Sequence, residues 1–208
     1  MTRPSSNSVL LGCAGALAMY AAFGVVARAQ APLAIDSARI TVSGTSNIHA
    51  YAATTTTVRV TRSQVAGAVA GPDFWTEVLK PGAIEAFEVA IPGGTLSSPK
   101  EGLDKNMHKA LKVQEYADIT FRLVRLDTSN KTDGRARAIG MLRIAGVEKE
   151  VAIEITTKRT GSTLSVHGVV DMLMTDYGIK PPTAMLGMLK TDPKITVTFE
   201  TVLAIPLT

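Results

Sequence analysis

The feature that most constrains this chain is a period-two alternation of apolar and polar residues that returns in segment after segment. Phe87, Val89 and Ile91 alternate with Glu88 and Ala90, and Ile119, Phe121 and Leu123 with Thr120 and Arg122. Val151, Ile153 and Ile155 alternate with Ala152 and Glu154, and Ile195, Val197 and Phe199 with Thr196, Thr198 and Glu200. Leu164, Val166, Val170, Met172 and Met174 share one parity, opposed by Ser165, His167 and Asp171. Successive side chains of a strand point to opposite faces, so this rhythm predicts strands with one face buried. Turn signals separate the runs at Gly71-Pro72, Pro92-Gly93-Gly94, Asp133-Gly134, Gly161-Ser162 and Asp192-Pro193. Short strands at this spacing predict an all-β sandwich or barrel, which periodicity does not separate. The small, Thr-rich run 52–57 fits a strand edge.

One segment breaks the rhythm. Leu103, Met107, Ala110 and Leu111 recur at spacings of three and four, which places them on one face of a helix over residues 104–112. Asp104 is suited to cap its first free N–H groups. A helix of two to three turns does not persist alone in water. Its apolar face must dock onto something, and a barrel mouth would serve.

The N-terminus reads as a secretory leader. A polar start with Arg3 precedes a long run of Val, Leu, Ala and Gly over residues 9–26, and Ala27-Arg28-Ala29 offers a small-x-small cleavage site. Cleavage after Ala29 leaves a single domain over residues 30–208. An uncleaved anchor is the rival reading, since the run is near the lower limit for spanning a bilayer. A lipid attachment at Cys13 is disfavoured because most of the apolar run follows that residue. Cys13 is the one cysteine, so the mature chain has neither thiol nor disulfide. A domain of this size can stand on an apolar core without them. The net charge of +4 loses two cations with the leader, and the rest are interspersed with acids. That excludes a nucleic-acid footprint.

Chemistry-bearing motifs are scarce. There is no nucleophile elbow, Gly-rich phosphate loop or metal-ligand run, and the three histidines, His49, His108 and His167, have no ligand spacing. The expectation is a protein that is not an enzyme and requires no cofactor or metal.

An ordered set of motifs goes further. It begins with Ser43-Gly44-Thr45-Ser46 and His49, followed by Leu103-Asp104-Lys105-Asn106-Met107 running to Ala110-Leu111-Lys112. Tyr116, Asp118, Ile119 and Phe121 come next, then Gly140, Leu142, Ile144, Gly146, Val147, Lys149 and Val151, and last Asp176-Tyr177-Gly178 with Pro181-Pro182 and a closing strand. In this order and spacing the chain resembles the YceI-like family of lipid-binding barrels over roughly residues 36–205. Ala117 stands where that family favours Pro.

The resemblance implies an extended antiparallel lipocalin-like β-barrel of about eight strands, with the short helix at its mouth. It also implies a periplasmic protein whose interior holds a hydrophobic small molecule, a long chain such as a polyprenyl, an isoprenoid quinone or a fatty-acid derivative. The candidate lining residues are Phe87, Phe121 and Phe199 by strand parity, Met107 and Leu111 by helix face, and Met141, Met172 and Met174 as adaptable thioethers. Each would serve equally as ordinary core. His108 is a candidate head-group contact, against a solvated histidine, and Tyr177 a rim residue, against a plain turn. Phe74 and Trp75, in a loop, would line a mouth, touch a membrane or pack beneath the loop. A homodimer and a transient membrane contact stay open. Two other readings stand beside the carrier: a filled barrel that binds another protein through its loops, and a lipid-acting enzyme with a polar cluster at its inner end.

Overall fold

Alternation becomes architecture through closure: a sheet with one apolar face hides that face by curling around it. The computed structural model describes residues 33–67, 71–128, 134–184 and 188–205; the expected leader and cleavage site, Cys13 and Asp133 lie outside them. The strands are β1 (Ala34–Ser46), β2 (Ala50–Thr55), β3 (Arg59–Val65), β4 (Ile84–Pro92) and β5 (Asp118–Asp127). They continue as β6 (Arg135–Ile144), β7 (Val147–Thr160), β8 (Thr163–Leu173), β9 (Thr183–Ala184) and β10 (Leu189–Ala204). Two short helices, α1 (Phe74–Val78) and α2 (Glu101–Ala110), interrupt them.

The sheet runs in the order β2-β1-β10-β8-β7-β6-β5-β4-β3, antiparallel throughout, with β9 attached to β10. Its two edge strands, β2 and β3, are consecutive in the chain and joined by Thr56-Thr57-Val58, so the edges are brought together covalently. A Thr54–Ser97 bridge and a hydrogen bond from Leu33 N–H to Ser63 Oγ (2.7 Å) tie the seam. β2 pairs with the upper half of β1, and β3 pairs with β4. Counted as two halves of one bent strand, they make a wall of eight. The Thr-rich run does sit at a sheet edge, as its composition predicts.

Three sequence expectations are corrected. Asp192-Pro193 is no turn but lies inside β10, where the β1–β10 register slips between Gly44 and Ser46. Proline is tolerated there because a bulge relieves it of a ladder hydrogen bond. The helix begins at Glu101, three residues earlier than its apolar spacing predicts, and Asp104 does not cap it. Its carboxylate instead accepts the Ser98 N–H (2.8 Å), fastening the incoming chain to the first turn. Phe74 and Trp75 are not in a loop; they form α1.

α1 closes one end of the barrel. Phe74, Trp75 and Val78 are essentially inaccessible and pack with Val65, Leu33, Leu164 and Leu203. The Phe74 and Trp75 rings meet edge-on with centroids 5.0 Å apart, and Trp75 Nε1–H donates to the Ser162 carbonyl (3.0 Å). A helix of five residues has no stability of its own; this aromatic plug supplies it. Truncation of Trp75 to Ala is expected to cost about 3–5 kcal/mol, read as a lower urea midpoint, with residues 71–83 becoming susceptible to protease first.

Candidate functional site

Between the two ends the barrel is not filled. A cavity of about 310 Å³ runs through it, lined on all sides by the inward parity of the strands. Ile40 and Val42 of β1, Phe87 and Val89 of β4, Val170 and Met172 of β8, and Val197 and Phe199 of β10 form its middle. These side chains remain half-buried although they face inward, whereas the plug residues at the α1 end are sealed. Exposure on the inside of a closed wall is apolar surface without a protein partner. The lining contains no Asp, Glu, Lys, Arg or His; its polar side-chain atoms are the hydroxyls of Tyr51, Thr157, Tyr177, Thr191 and Thr201 and the Trp75 indole N–H, which is engaged with Ser162. Burial, and then the nearby Asp192 for Tyr51 or Asp176 for Tyr177, pushes both phenols up from their ordinary value. Both therefore stay protonated and neutral at physiological pH.

The opposite end is covered more loosely. Leu103, Met107, Ala110 and Leu111 of α2 all line the cavity, as their spacing predicts, yet no residue of α2 is buried. A 3₁₀ turn, Met174–Tyr177, contributes Met174 and Tyr177 to a cluster with Leu142, Ile144, Ala145 and Ile179 beneath the helix. It stops at Gly178, whose φ of 66° is the left-handed conformation that glycine adopts without strain.

Of the candidate residues, Phe87, Met107, Leu111, Phe121, Met172, Met174, Tyr177 and Phe199 line the cavity. Met141 and His108 do not. Met141 has the parity opposite to Leu142 and Ile144 and stands on the outer face of β6, in register with Arg122 and Glu150. His108 is fastened to the fold: its Nε2 lies 2.8 Å from the Leu96 carbonyl. A carbonyl only accepts, so Nε2 carries the proton and His108 pins α2 to the chain after β4. Among the described residues no three His, Cys, Asp or Glu side chains gather as metal ligands.

Sequence reasoning missed Tyr51, the β1 wall and a shift of parity in β5. A register slip between Leu123 and Arg125 keeps Arg125 outside with Val124 and brings Leu126 inside. It also missed three inward glycines. Gly44, Gly140 and Gly168 each lie under an aromatic ring of the neighbouring strand, Tyr51, Phe121 and Phe199. The signal was present: Gly168 shares the parity of Val166 and Val170, so it leaves a gap where a wall side chain belongs.

Those gaps let the rings lie back against the wall. A Cβ on Gly168 would stand 2.3 Å from Phe199 Cζ, so Gly168→Ala forces the ring toward the lumen. The substitution is expected to destabilise by about 1–3 kcal/mol, measured by chemical denaturation, and to narrow the cavity in a crystal structure. Adding Phe199→Leu should restore most of the loss.

No curated protein matches the chain. A polyisoprenoid-binding domain from Saccharophagus degradans, implicated in plant cell wall breakdown, superposes with a TM-score of 0.63 at 11% identity, covering 85% of this chain and 100% of that one. BcnA of Burkholderia cenocepacia superposes with a TM-score of 0.62 at 13% identity, covering 81% and 99%. The YceI protein of Campylobacter jejuni gives 0.52 at 14% identity, covering 73% and 85%. At such identities the likeness is one of fold. The model of the YceI-like domain matches residues 33–203, most of the chain, and the protein belongs to that family.

Proposed function

We propose that this protein is a periplasmic carrier that holds one long apolar chain, a polyprenyl, isoprenoid quinone or fatty-acid derivative, in the barrel interior by shape and hydrophobic burial. The observation that carries this reading is the half-buried apolar wall around an unfilled lumen. A barrel packed by its own side chains, as a filled interaction module would be, buries those residues. The export signal read in residues 1–29 supports the compartment, and the fold shared with a polyisoprenoid-binding domain supports the ligand class.

The energetics agree. Each methylene removed from water contributes about 0.8 kcal/mol, so a few isoprene units supply the affinity of a carrier without a polar contact. A charged group drawn inside would meet no counter-ion, since the lining holds none, and would keep its desolvation cost. The ligand's polar end therefore stays at the α2 end, outside the apolar stretch. Catalysis has no support in this lumen, whose lining holds hydroxyls but no carboxylate, imidazole or ammonium. We assign binding and no reaction.

Native mass spectrometry of the purified protein is expected to show a bound apolar chain that organic extraction releases. Two lumen variants should lose it: Val197→Glu, which places a charge among apolar walls, and Val170→Trp, which occupies the space while staying apolar. Loss of at least about tenfold in retained chain is expected from each, with circular dichroism checking that the barrel persists. A wild-type protein that is empty and takes up no prenyl or acyl probe would overturn the proposal.

A further inference from the structure

We infer that the open end of the barrel carries a membrane-docking tip, in which Ile48 and Met188 enter the apolar edge of an anionic bilayer. The inference rests on the carrier reading and adds where the carrier meets its source of ligand. Ile48 and Met188 are the most exposed large apolar side chains among the described residues, at 62% and 67%. They lie far apart in sequence and are held together by one residue. Asn47 Nδ2–H donates to the Met188 carbonyl (2.8 Å), Lys190 N–H donates to Asn47 Oδ1 (2.8 Å), and Asn47 N–H donates to the Lys190 carbonyl (3.1 Å). The β1–β2 turn is closed beneath Ile48 by Ser46, whose Oγ accepts the His49 N–H (3.1 Å) while its own N–H donates to the His49 carbonyl (3.0 Å). Two exposed apolar side chains are thus presented on a braced support.

The same two segments lead into the cavity, since Tyr51 and Thr191 line it. Two lysines belong to the tip. Lys190 enters the clamp through its backbone, and Lys100 Nζ donates to His49 Nε2 (3.0 Å). The acids flanking these residues in the chain are Glu101, paired with Lys105 (2.8 Å), Asp104, whose carboxylate accepts the Ser98 N–H, and Asp192, whose Oδ1 accepts the Lys194 N–H. Two protruding side chains bury far too little for a stable protein interface, which needs about 800 Å² per partner. A bilayer surface asks for no more than a few apolar side chains backed by basic residues. The chemistry fits a surface of anionic phospholipid. It also meets a physical need, because a chain passing from bilayer to lumen through water would expose every methylene on the way.

The test is co-sedimentation of the full-length mature protein with vesicles of mixed phosphatidylglycerol and phosphatidylcholine. The double variant Ile48→Glu/Met188→Glu should partition about tenfold less. Val124→Glu/Val169→Glu, on exposed positions of the barrel wall, should partition as the wild type does. Lys100→Gln/Lys190→Gln should weaken binding to the mixed vesicles and not to phosphatidylcholine alone. Unchanged partition of the tip variant, or an equal loss from the wall variant, overturns the inference, as does sedimentation velocity showing that Ile48 and Met188 join two copies of the chain. Native mass spectrometry of chain loaded from detergent separates this from the carrier reading. The tip variant should load as the wild type does, and failure of both to load would sink the carrier reading instead.

Discussion

The constraint on which this structure depends is the closing of an apolar sheet face on itself with too little side-chain volume to fill the interior. A wall of eight antiparallel strands encloses a bore about wide enough for one slender ligand. The bore is kept by a covalent device, the passage of the chain from β2 to β3 through three residues at the seam. Because consecutive segments of one backbone pair with β1 and with β4, opening the wall at that point costs one of these two ladders. The unfilled centre is therefore held by the periphery, through cross-strand ladders and the sealed α1 end, and not by packing across the lumen.

That arrangement makes the two ends unlike. At one end Trp75 and Phe74 bring two large aromatic side chains into full burial, and five residues of helix suffice because their stability is tertiary. At the other, α2 offers four apolar side chains to the lumen without burying any, and its anchors are polar: His108 to Leu96 and Asp104 to Ser98. Single hydrogen bonds contribute modestly, whereas fully buried aromatic residues contribute several kcal/mol each. The α2 end is consequently the weaker closure, and ligand exchange follows the weaker closure. Outer-face ion pairs such as Arg137–Glu154 and Lys194–Asp171 are largely solvated and do not alter this balance.

Much of this was legible in the sequence, and the parts that were not share a cause. Strand parity identified the inner face of β4, β7, β8 and β10, because alternation is a local consequence of strand geometry. Helical spacing placed Met107 and Leu111 against the cavity for the same reason. Parity failed where register slips: the bulge after Leu123 leaves Arg125 outside where alternation would turn it inward, and brings Leu126 in its place. Met141 was chosen for its flexible side chain against the parity of its own strand, and parity prevailed. His108 was assigned by chemistry, yet its partner is a backbone carbonyl, which no side-chain pattern reveals. Asp192-Pro193 carries a strong turn signal that a bulge absorbs, since the long pairing of β10 with β8 outweighs a local preference.

The three ring-over-glycine pairs tie the bore to the ligand class. In an ordinary core a glycine beneath an aromatic ring lets two elements approach. Here it lets the ring lie back along the wall, so that Phe121 and Phe199 add apolar surface without crossing the lumen. A wall that is smooth, uncharged and aromatic in places distinguishes ligands by width and length and scarcely by functional group. A wider polycyclic molecule would have to displace those rings, while a linear or methyl-branched chain slides between them. For the proposed cargo, affinity grows with the number of buried methylenes until the chain reaches the Trp75 plug, beyond which further length stays outside and adds nothing. The plug thus sets the end of the measuring length, and the tolerance of the α2 end leaves the head group free to vary.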